Sequence, residues 1–234
     1  MKKHLLVLLL LAPATLLAAS FEGRVNFKTS ADRGKTQEIG YFLKGGKMRI
    51  EVAGQKEMGG MIMDIEKKQT IMIMDQQRMY MVMEMPDVAA QAAQAKPDDT
   101  TLDKTGEKEK ILGYAAEKYI STSQGKKTDL WLAEGLGAFM AMPSGGPMGG
   151  GRGGRGSSGG GQAWERALAG KDLFPLRVVG YDQGGKENFR MEVTAIDKKP
   201  LPDSLFSPPD GYQKFDMGGM MKGMMPGGVP SGRP

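Results

Sequence analysis

Methionine is the residue type in this sequence whose abundance and spacing point to a chemical role. The chain has 234 residues, among them 20 methionines, no cysteine and one histidine, His4. The lack of cysteine excludes disulfides, thiolate metal sites and cysteine nucleophiles. His4 lies in a segment that we expect to be cleaved, and without an imidazole the mature chain cannot use Ser-His-Asp chemistry or histidine-bound zinc. No pair of carboxylates is placed for general acid catalysis, so we expect no enzyme and no cofactor.

Eight methionines recur at every second position of successive predicted strands, which places them on one face of a sheet. If Gln76 and Gln77 form a hairpin turn, Met74 pairs with Met79 and Met72 with Met81, whereas a slip of one residue breaks both pairs. This Met face consists of Met61, Met63, Met72, Met74, Met79, Met81, Met83 and Met85. We predict that it lines an apolar ligand-binding cavity.

Three interpretations of the Met face are open at this point. Methionine is a poorer strand former than β-branched residues, but its flexible, polarisable side chain adapts to ligands of variable shape, such as acyl chains. An apolar strand face can also be closed core beneath helices. Finally, thioethers bind Cu(I), and a chain without cysteine and histidine would have to use them for a soft metal.

A second group of methionines lies in a Gly-rich C-terminal segment, residues 217–234, which we predict to be disordered. Its members are Met217, Met220, Met221, Met224 and Met225. No core needs methionines there, so soft-metal binding through this cluster is the alternative function. Low-complexity drift or a sink for oxidants would also explain the cluster.

The N-terminal residues 1–20 have the features of a secretory signal peptide. Lys2 and Lys3 precede an apolar run, and Ala18, Ala19 and Ser20 supply small residues for cleavage after Ala19 or Ser20. We therefore predict a periplasmic protein, with secretion left open. No later segment has 18 consecutive apolar residues, so we expect peripheral or no membrane contact. The remaining 30 basic and 27 acidic residues do not favour a nucleic-acid partner.

Strands must position the Met face, because apolar residues alternate with polar ones along most of the chain. Short polar gaps predict antiparallel hairpins. Short helices are predicted at 88–96 and 162–169, and a charged, solvated stretch at 98–110. A Gly-rich insertion at 143–161 is predicted to be disordered. The predicted strands are 21–28, 39–43, 48–52, 61–65, 70–75, 78–85, 111–122, 128–133, 176–182 and 189–196.

Several short motifs occur in an order that resembles a known family. They begin at Phe21-Glu-Gly-Arg-Val, Gly113-Tyr114, Asp129-Leu-Trp131, Leu173-Phe-Pro175 and Asp203-Ser-Leu205-Phe206. Together they resemble the exported bacterial family catalogued as domain of unknown function 4412, which is similar in pattern to the periplasmic lipoprotein carriers LolA and LppX-like proteins. The resemblance covers residues 21–215 without the Gly-rich insertion.

The resemblance implies a mainly β (α+β) fold: a strongly curved antiparallel sheet forming an unclosed half-barrel, with two or three short helices on its concave face. Residues 21–216 would form this single domain. We therefore expect a non-enzymatic periplasmic protein that binds lipid, another apolar small molecule or a lipidated partner. A protein-interaction scaffold of the cell envelope is a further alternative.

Overall fold

A computed structural model describes residues 21–31, 35–55, 59–85, 100–137, 139, 160–168 and 170–215. Over these residues the chain forms twelve strands, one α-helix and one 3₁₀ turn. The strands are β1 (Gly23–Ala31), β2 (Lys35–Lys44), β3 (Lys47–Val52), β4 (Gly60–Asp64), β5 (Gln69–Met74), β6 (Met79–Glu84), β7 (Thr101–Ile111), β8 (Tyr114–Ser123), β9 (Lys126–Ala133), β10 (Phe174–Tyr181), β11 (Glu187–Lys198) and β12 (Gln213–Lys214). The helix, α1, spans Gly160–Leu168, and the 3₁₀ turn spans Asp203–Phe206.

All twelve strands belong to one sheet, ordered β12-β6-β5-β4-β3-β2-β1-β11-β10-β9-β8-β7. Two antiparallel meanders, β1 to β6 and β7 to β11, are joined where β1 pairs with β11. The short β12 adds to β6 in parallel. Because β7 and β12 lie at opposite ends of the order, the sheet is not closed, which confirms the predicted unclosed, mainly β architecture.

The charged stretch at 98–110, predicted to be solvated, lies outside the predicted strands, yet most of it forms a strand. Residues 101–111 form β7, an edge strand whose side chains are almost all exposed. Charged side chains on an edge strand keep it from pairing with other chains. Because they occupy both faces of β7, the sequence lacks the apolar alternation that identifies a strand. Leu112 and Gly113, both at positive φ, then form a tight hairpin turn, so the predicted strand 111–122 is divided there.

The sheet bends around α1. The helix packs mainly on β8, while its Trp164 stacks on Phe139 at 5.6 Å and Phe139 stacks on Tyr41 of β2 at 6.0 Å. In the sheet order β8 and β2 are five strand spacings apart, about 24 Å if the sheet were flat. A helix of nine residues is only about 13 Å long. It reaches both regions because the sheet is curved, and α1 therefore marks the concave face.

The main core lies on this concave face. Phe27 of β1 packs against Tyr41 at 4.7 Å and against Phe174 of β10 at 5.8 Å between ring centroids. The other fully buried side chains of this core include Val25, Ile50, Leu130, Leu168, Leu176 and Val178. Aromatic and β-branched residues predominate here, as expected for well-packed strands.

One predicted helix is confirmed. The helix expected at 162–169 is α1, which begins two residues earlier and so includes Gly160 and Gly161 of the predicted Gly-rich insertion. The helix predicted at 88–96 lies outside the described residues, as do the predicted signal segment, the remainder of the Gly-rich insertion and residues 217–234. Of the two or three helices expected, the structure therefore confirms one. Within the described ranges, no helix is long and apolar enough to cross a membrane.

A second core lies on the opposite, convex face, under the segment 201–215, which we call the C-terminal strap. Leu201 and Phe206 of the strap are buried against side chains of β2, β4 and β5. Those partners are Phe42, Ile62 and Ile73. The strap therefore covers the outer face of the strands that carry the Met face on their inner side.

Polar contacts hold the strap along its length. Lys44 Nζ donates to the Leu201 carbonyl at 2.6 Å and pairs with Asp203 at 2.9 Å. The Arg49 guanidinium donates to the carbonyls of Leu205 at 3.2 Å and Gly59 at 3.0 Å. A charged donor on a backbone carbonyl is a strong hydrogen bond, so the strap is fixed to the sheet rather than loosely laid on it.

Candidate functional site: the Met face

The strand registers pair several methionines of β4, β5 and β6 with one another, while Met63 and Met83 both lie opposite Thr70. Met72 pairs with Met81 and Met74 with Met79, so both pairs expected from the hairpin arithmetic are confirmed. On the other side of β5, Met61 pairs with Met72. Directly paired residues share a face, so the Met face extends over three strands.

The Met face continues the concave face of the main core. One lateral row of paired residues runs across β1 to β6: Val25, Tyr41, Ile50, Met61, Met72 and Met81. Along this row, aromatic and β-branched side chains give way to methionine from β4 onward. The change in residue type therefore follows position in the sheet, from the part beneath α1 towards the β6 edge.

The eight methionines differ in exposure. Met61, Met63 and Met72 are 4%, 2% and 3% exposed and therefore belong to the packed interior. The five nearer to the β6 edge are half-buried: Met74, Met79, Met81, Met83 and Met85. The core interpretation thus fits the inner part of the Met face, while the outer part is an apolar surface that solvent still reaches.

The other side of these strands is covered. Ile62 and Ile73 are fully buried beneath the C-terminal strap, and Ile71 packs against the same cluster. Because the strap protects this side, the outer part of the Met face is the side of β5 and β6 where a ligand could bind without displacing a described segment.

A carboxyl group lies in the concave interior next to this row. Burial raises the pKa of Glu165 on α1 to about 7, although the charge of Arg166 opposes the shift. Burial, with a smaller contribution from the negative charge of Glu165, also raises the pKa of Tyr41. The interior therefore solvates charge poorly, as a site for an apolar ligand should. Sequence reasoning missed Glu165, because a glutamate in a short helix gives no sign of burial.

Several charged groups around Trp131 in the other meander are paired with one another. Trp131 of β9 lies between Lys118 at 5.0 Å and Arg177 at 5.1 Å. Arg177 donates to both Glu109 and Glu192, and Lys118 pairs with Asp129 at 3.1 Å. These ion pairs stabilise the sheet locally, and both cations beside Trp131 are paired with carboxylates.

The candidate metal ligands predicted in the tail cannot be placed. Met217, Met220, Met221, Met224 and Met225 lie outside the described residues. In the part of the chain that the structure does describe, no group of three or more His, Cys, Asp or Glu residues could hold a metal ion.

Comparison with solved structures finds only loose likeness. An uncharacterized conserved protein from Thermus thermophilus shares 13% identity at a TM-score of 0.47, over 85% of this chain and 91% of that one. A chain of the Pseudomonas aeruginosa MucA/MucB complex shares 13% at 0.42, over 81% and 56%. The LolA superfamily protein NE2245 from Nitrosomonas europaea shares 12% at 0.32, over 82% and 91%.

Comparison with sequence families is more specific. No curated protein matches the sequence. A family profile, however, matches residues 21–212, nearly all of the segment that carries the sheet. The family resemblance seen in the sequence motifs is thereby confirmed, and this chain belongs to the family described as Domain of unknown function (DUF4412).

Proposed function

We propose that this protein is a non-enzymatic periplasmic protein that holds an apolar ligand against the outer part of the Met face. The ligand class is an acyl chain, carried by a lipid or by a lipidated partner. One observation supports this most: five half-buried methionines, Met74, Met79, Met81, Met83 and Met85, continue the buried concave face towards the outer strands of the sheet.

The residue type fits this use better than it fits packing alone. A stiff β-branched side chain would give the strands higher propensity, whereas methionine can rearrange its three side-chain torsions around ligands of different shape. Each ligand methylene removed from water contributes about 0.8 kcal/mol to binding. We therefore expect affinity to rise with acyl chain length and to depend little on the head group.

A titration with dansyl-labelled undecanoic acid tests the proposal on the mature full-length chain. The double variant Met79→Gln/Met81→Gln should weaken binding by about tenfold, since about 1.4 kcal/mol of apolar contact is lost. The matched control is Tyr80→Gln/Val82→Gln, which alters the same strand on its other face and should stay within about twofold. Urea unfolding of both variants checks that each is folded.

Equal weakening by both double variants would contradict the assignment to the Met face. No binding of any acyl probe by the unaltered chain would contradict the ligand class. The protein-interaction scaffold would then become the leading hypothesis. Soft-metal binding by residues 217–234 stays a separate prediction, tested by Cu(I) titration of a chain that ends at residue 216.

A further inference from the structure

The C-terminal strap ends as a strand alongside the Met face. The backbone N–H of Gln213 donates to the Arg78 carbonyl at 2.9 Å, and that of Phe215 donates to the Tyr80 carbonyl at 2.7 Å. These two bonds make β12 a parallel neighbour of β6. Phe215 is the last described residue, and the sequence continues for 19 residues beyond it.

The register of this pairing gives a fixed offset between the strap and β6. Gln213 lies beside Met79 and Lys214 beside Tyr80. At the same offset, a strand that continued past Phe215 would bring Met217 beside Met83. Laterally paired residues in a parallel sheet share a face, so Met217 would join the Met face.

Among the described residues, β12 is the only strand beside this edge of β6, and it ends before Val82 and Glu84. Alternation along a strand turns the backbone groups of Val82 and Glu84 towards the same edge as those of Tyr80. In the parallel pattern, the Val82 carbonyl would accept from the Met217 N–H, and the Glu84 N–H would donate to the Met217 carbonyl. Adding a strand to a free sheet edge is a common way for a sheet to bind a peptide segment.

The composition beyond Phe215 suits an apolar surface. Residues 217–225 contain five methionines and one charged residue, Lys222. Gly218 and Gly219 follow the aligned position and allow the backbone to turn, because glycine accepts conformations that other residues avoid. The methionines after the turn would then face a surface made of the same residue type.

We propose that residues 216–225 continue β12 along β6 and place their methionines on the outer part of the Met face. The C-terminal segment would then be an internal occupant of the surface that the apolar ligand uses. The docking itself is independent of the proposed function, while its role as a competitor rests on it.

Methionine oxidation tests the docking without any ligand. The full chain and a chain ending at Phe215 are exposed to hydrogen peroxide, and sulfoxide at Met79, Met81 and Met83 is followed by peptide mass spectrometry. Because oxidation follows exposure, these residues should react at least about fivefold more slowly in the full chain. Met48, which is 1% exposed, serves as the internal control and should react slowly in both. Equal rates at the three residues in both chains would overturn the proposal.

A backbone variant tests the register. Met217→Pro removes the N–H that would bond to Val82, whereas Met217→Leu keeps it. Hydrogen exchange of the Glu84 amide should become roughly tenfold faster in the proline variant and stay unchanged in the leucine variant. Exchange that is fast in all three proteins would show that β12 ends at Lys214 and would overturn the extension.

Binding of dansyl-labelled undecanoic acid then separates the two proposals. If both hold, the chain ending at Phe215 should bind the probe at least about fivefold more tightly than the full chain, since the competing segment is gone. If oxidation differs between the chains but neither binds the probe, the docking stands and the ligand proposal fails. If the probe binds both equally and oxidation is also equal, the ligand proposal stands and the docking fails.

Discussion

The two ends of the concave face are built on different principles. Beneath α1, rings and β-branched side chains meet at fixed distances, with Phe27, Tyr41, Phe139 and Phe174 forming a chain of contacts. Towards the β6 edge, the same lateral row consists of methionine and becomes half-buried. One sheet thus combines a rigid, specific core with an adaptable apolar surface. The contrast shows that residue type along a row can mark where close packing gives way to a half-buried surface.

The packed core beneath α1 should lose far more stability than the outer part of the Met face when a side chain is shortened to alanine. Phe174→Ala removes a fully buried ring in contact with Phe27 and Phe139 and should lower the free energy of unfolding by about 3–5 kcal/mol. Met81→Ala removes a half-buried side chain and should cost less than about 1 kcal/mol. Urea unfolding measures both. Similar losses at the two sites would remove the distinction between the ends.

The interior beneath α1 should also make stability depend on pH. The pKa of Glu165 is about 7 in the folded chain, against an ordinary 4.5. Below pH 4.5 the carboxyl is protonated whether the chain is folded or not, so burying it does not lower the free energy of unfolding by way of ionisation. As pH rises to about 7 the unfolded chain ionises first, and stability should fall by on the order of 3 kcal/mol.

Glu165→Gln removes this titration, so urea unfolding of the variant should lose that fall between pH 4.5 and about 7. Glu38→Gln, at an exposed position of β2, is the matched control and should keep it. A pH dependence that is the same in Glu165→Gln as in the unaltered chain would contradict the burial of this carboxyl.

The attachment of the C-terminal strap to the sheet should depend strongly on one side chain, that of Arg49. Arg49→Met keeps the apolar stem but leaves the carbonyls of Leu205 and Gly59 without their donor, which should cost about 2 kcal/mol. Arg24→Met, in the same row of the convex face, removes an exposed cation over Phe42 and should cost under about 1 kcal/mol. Limited proteolysis should cut the strap faster in the first variant only.

The smallest effect should come from replacing a methionine of the outer Met face with a β-branched residue like those beneath α1. Met81→Ile is close in volume and raises strand propensity, so stability should rise by roughly a few tenths of a kcal/mol. The stiffer side chain adapts less to a ligand, and affinity for the acyl probe should fall about twofold to threefold. At the buried Met63, the same change should instead destabilise by about 1 kcal/mol. Opposite signs at the two sites would sharpen the comparison.

Local patterns predicted the pairing of the methionines because side-chain alternation and a short turn fix the register of a hairpin. The pairing of Met72 with Met81 could be predicted from these two local features alone. The convex core could not be predicted in the same way, since Phe206 and Ile62 are far apart in the sequence and share a cluster only because the C-terminal strap returns over the sheet. The exposure difference between Met72 and Met81 depends on position in the curved sheet, and the sequence pattern of the two residues is the same.

The seam between β1 and β11 has a consequence for the order of folding. Most paired strands within each meander are neighbouring segments that form hairpins and close quickly, although residues 134–173 separate β9 from β10, while the seam joins the first strand to the next-to-last one. Glu22 also accepts a hydrogen bond from the Leu201 N–H, 179 positions away. We therefore expect two ribbons that form early and independently, followed by a slow step that joins them, so a chain interrupted before residue 187 would leave β1 as an unpaired edge.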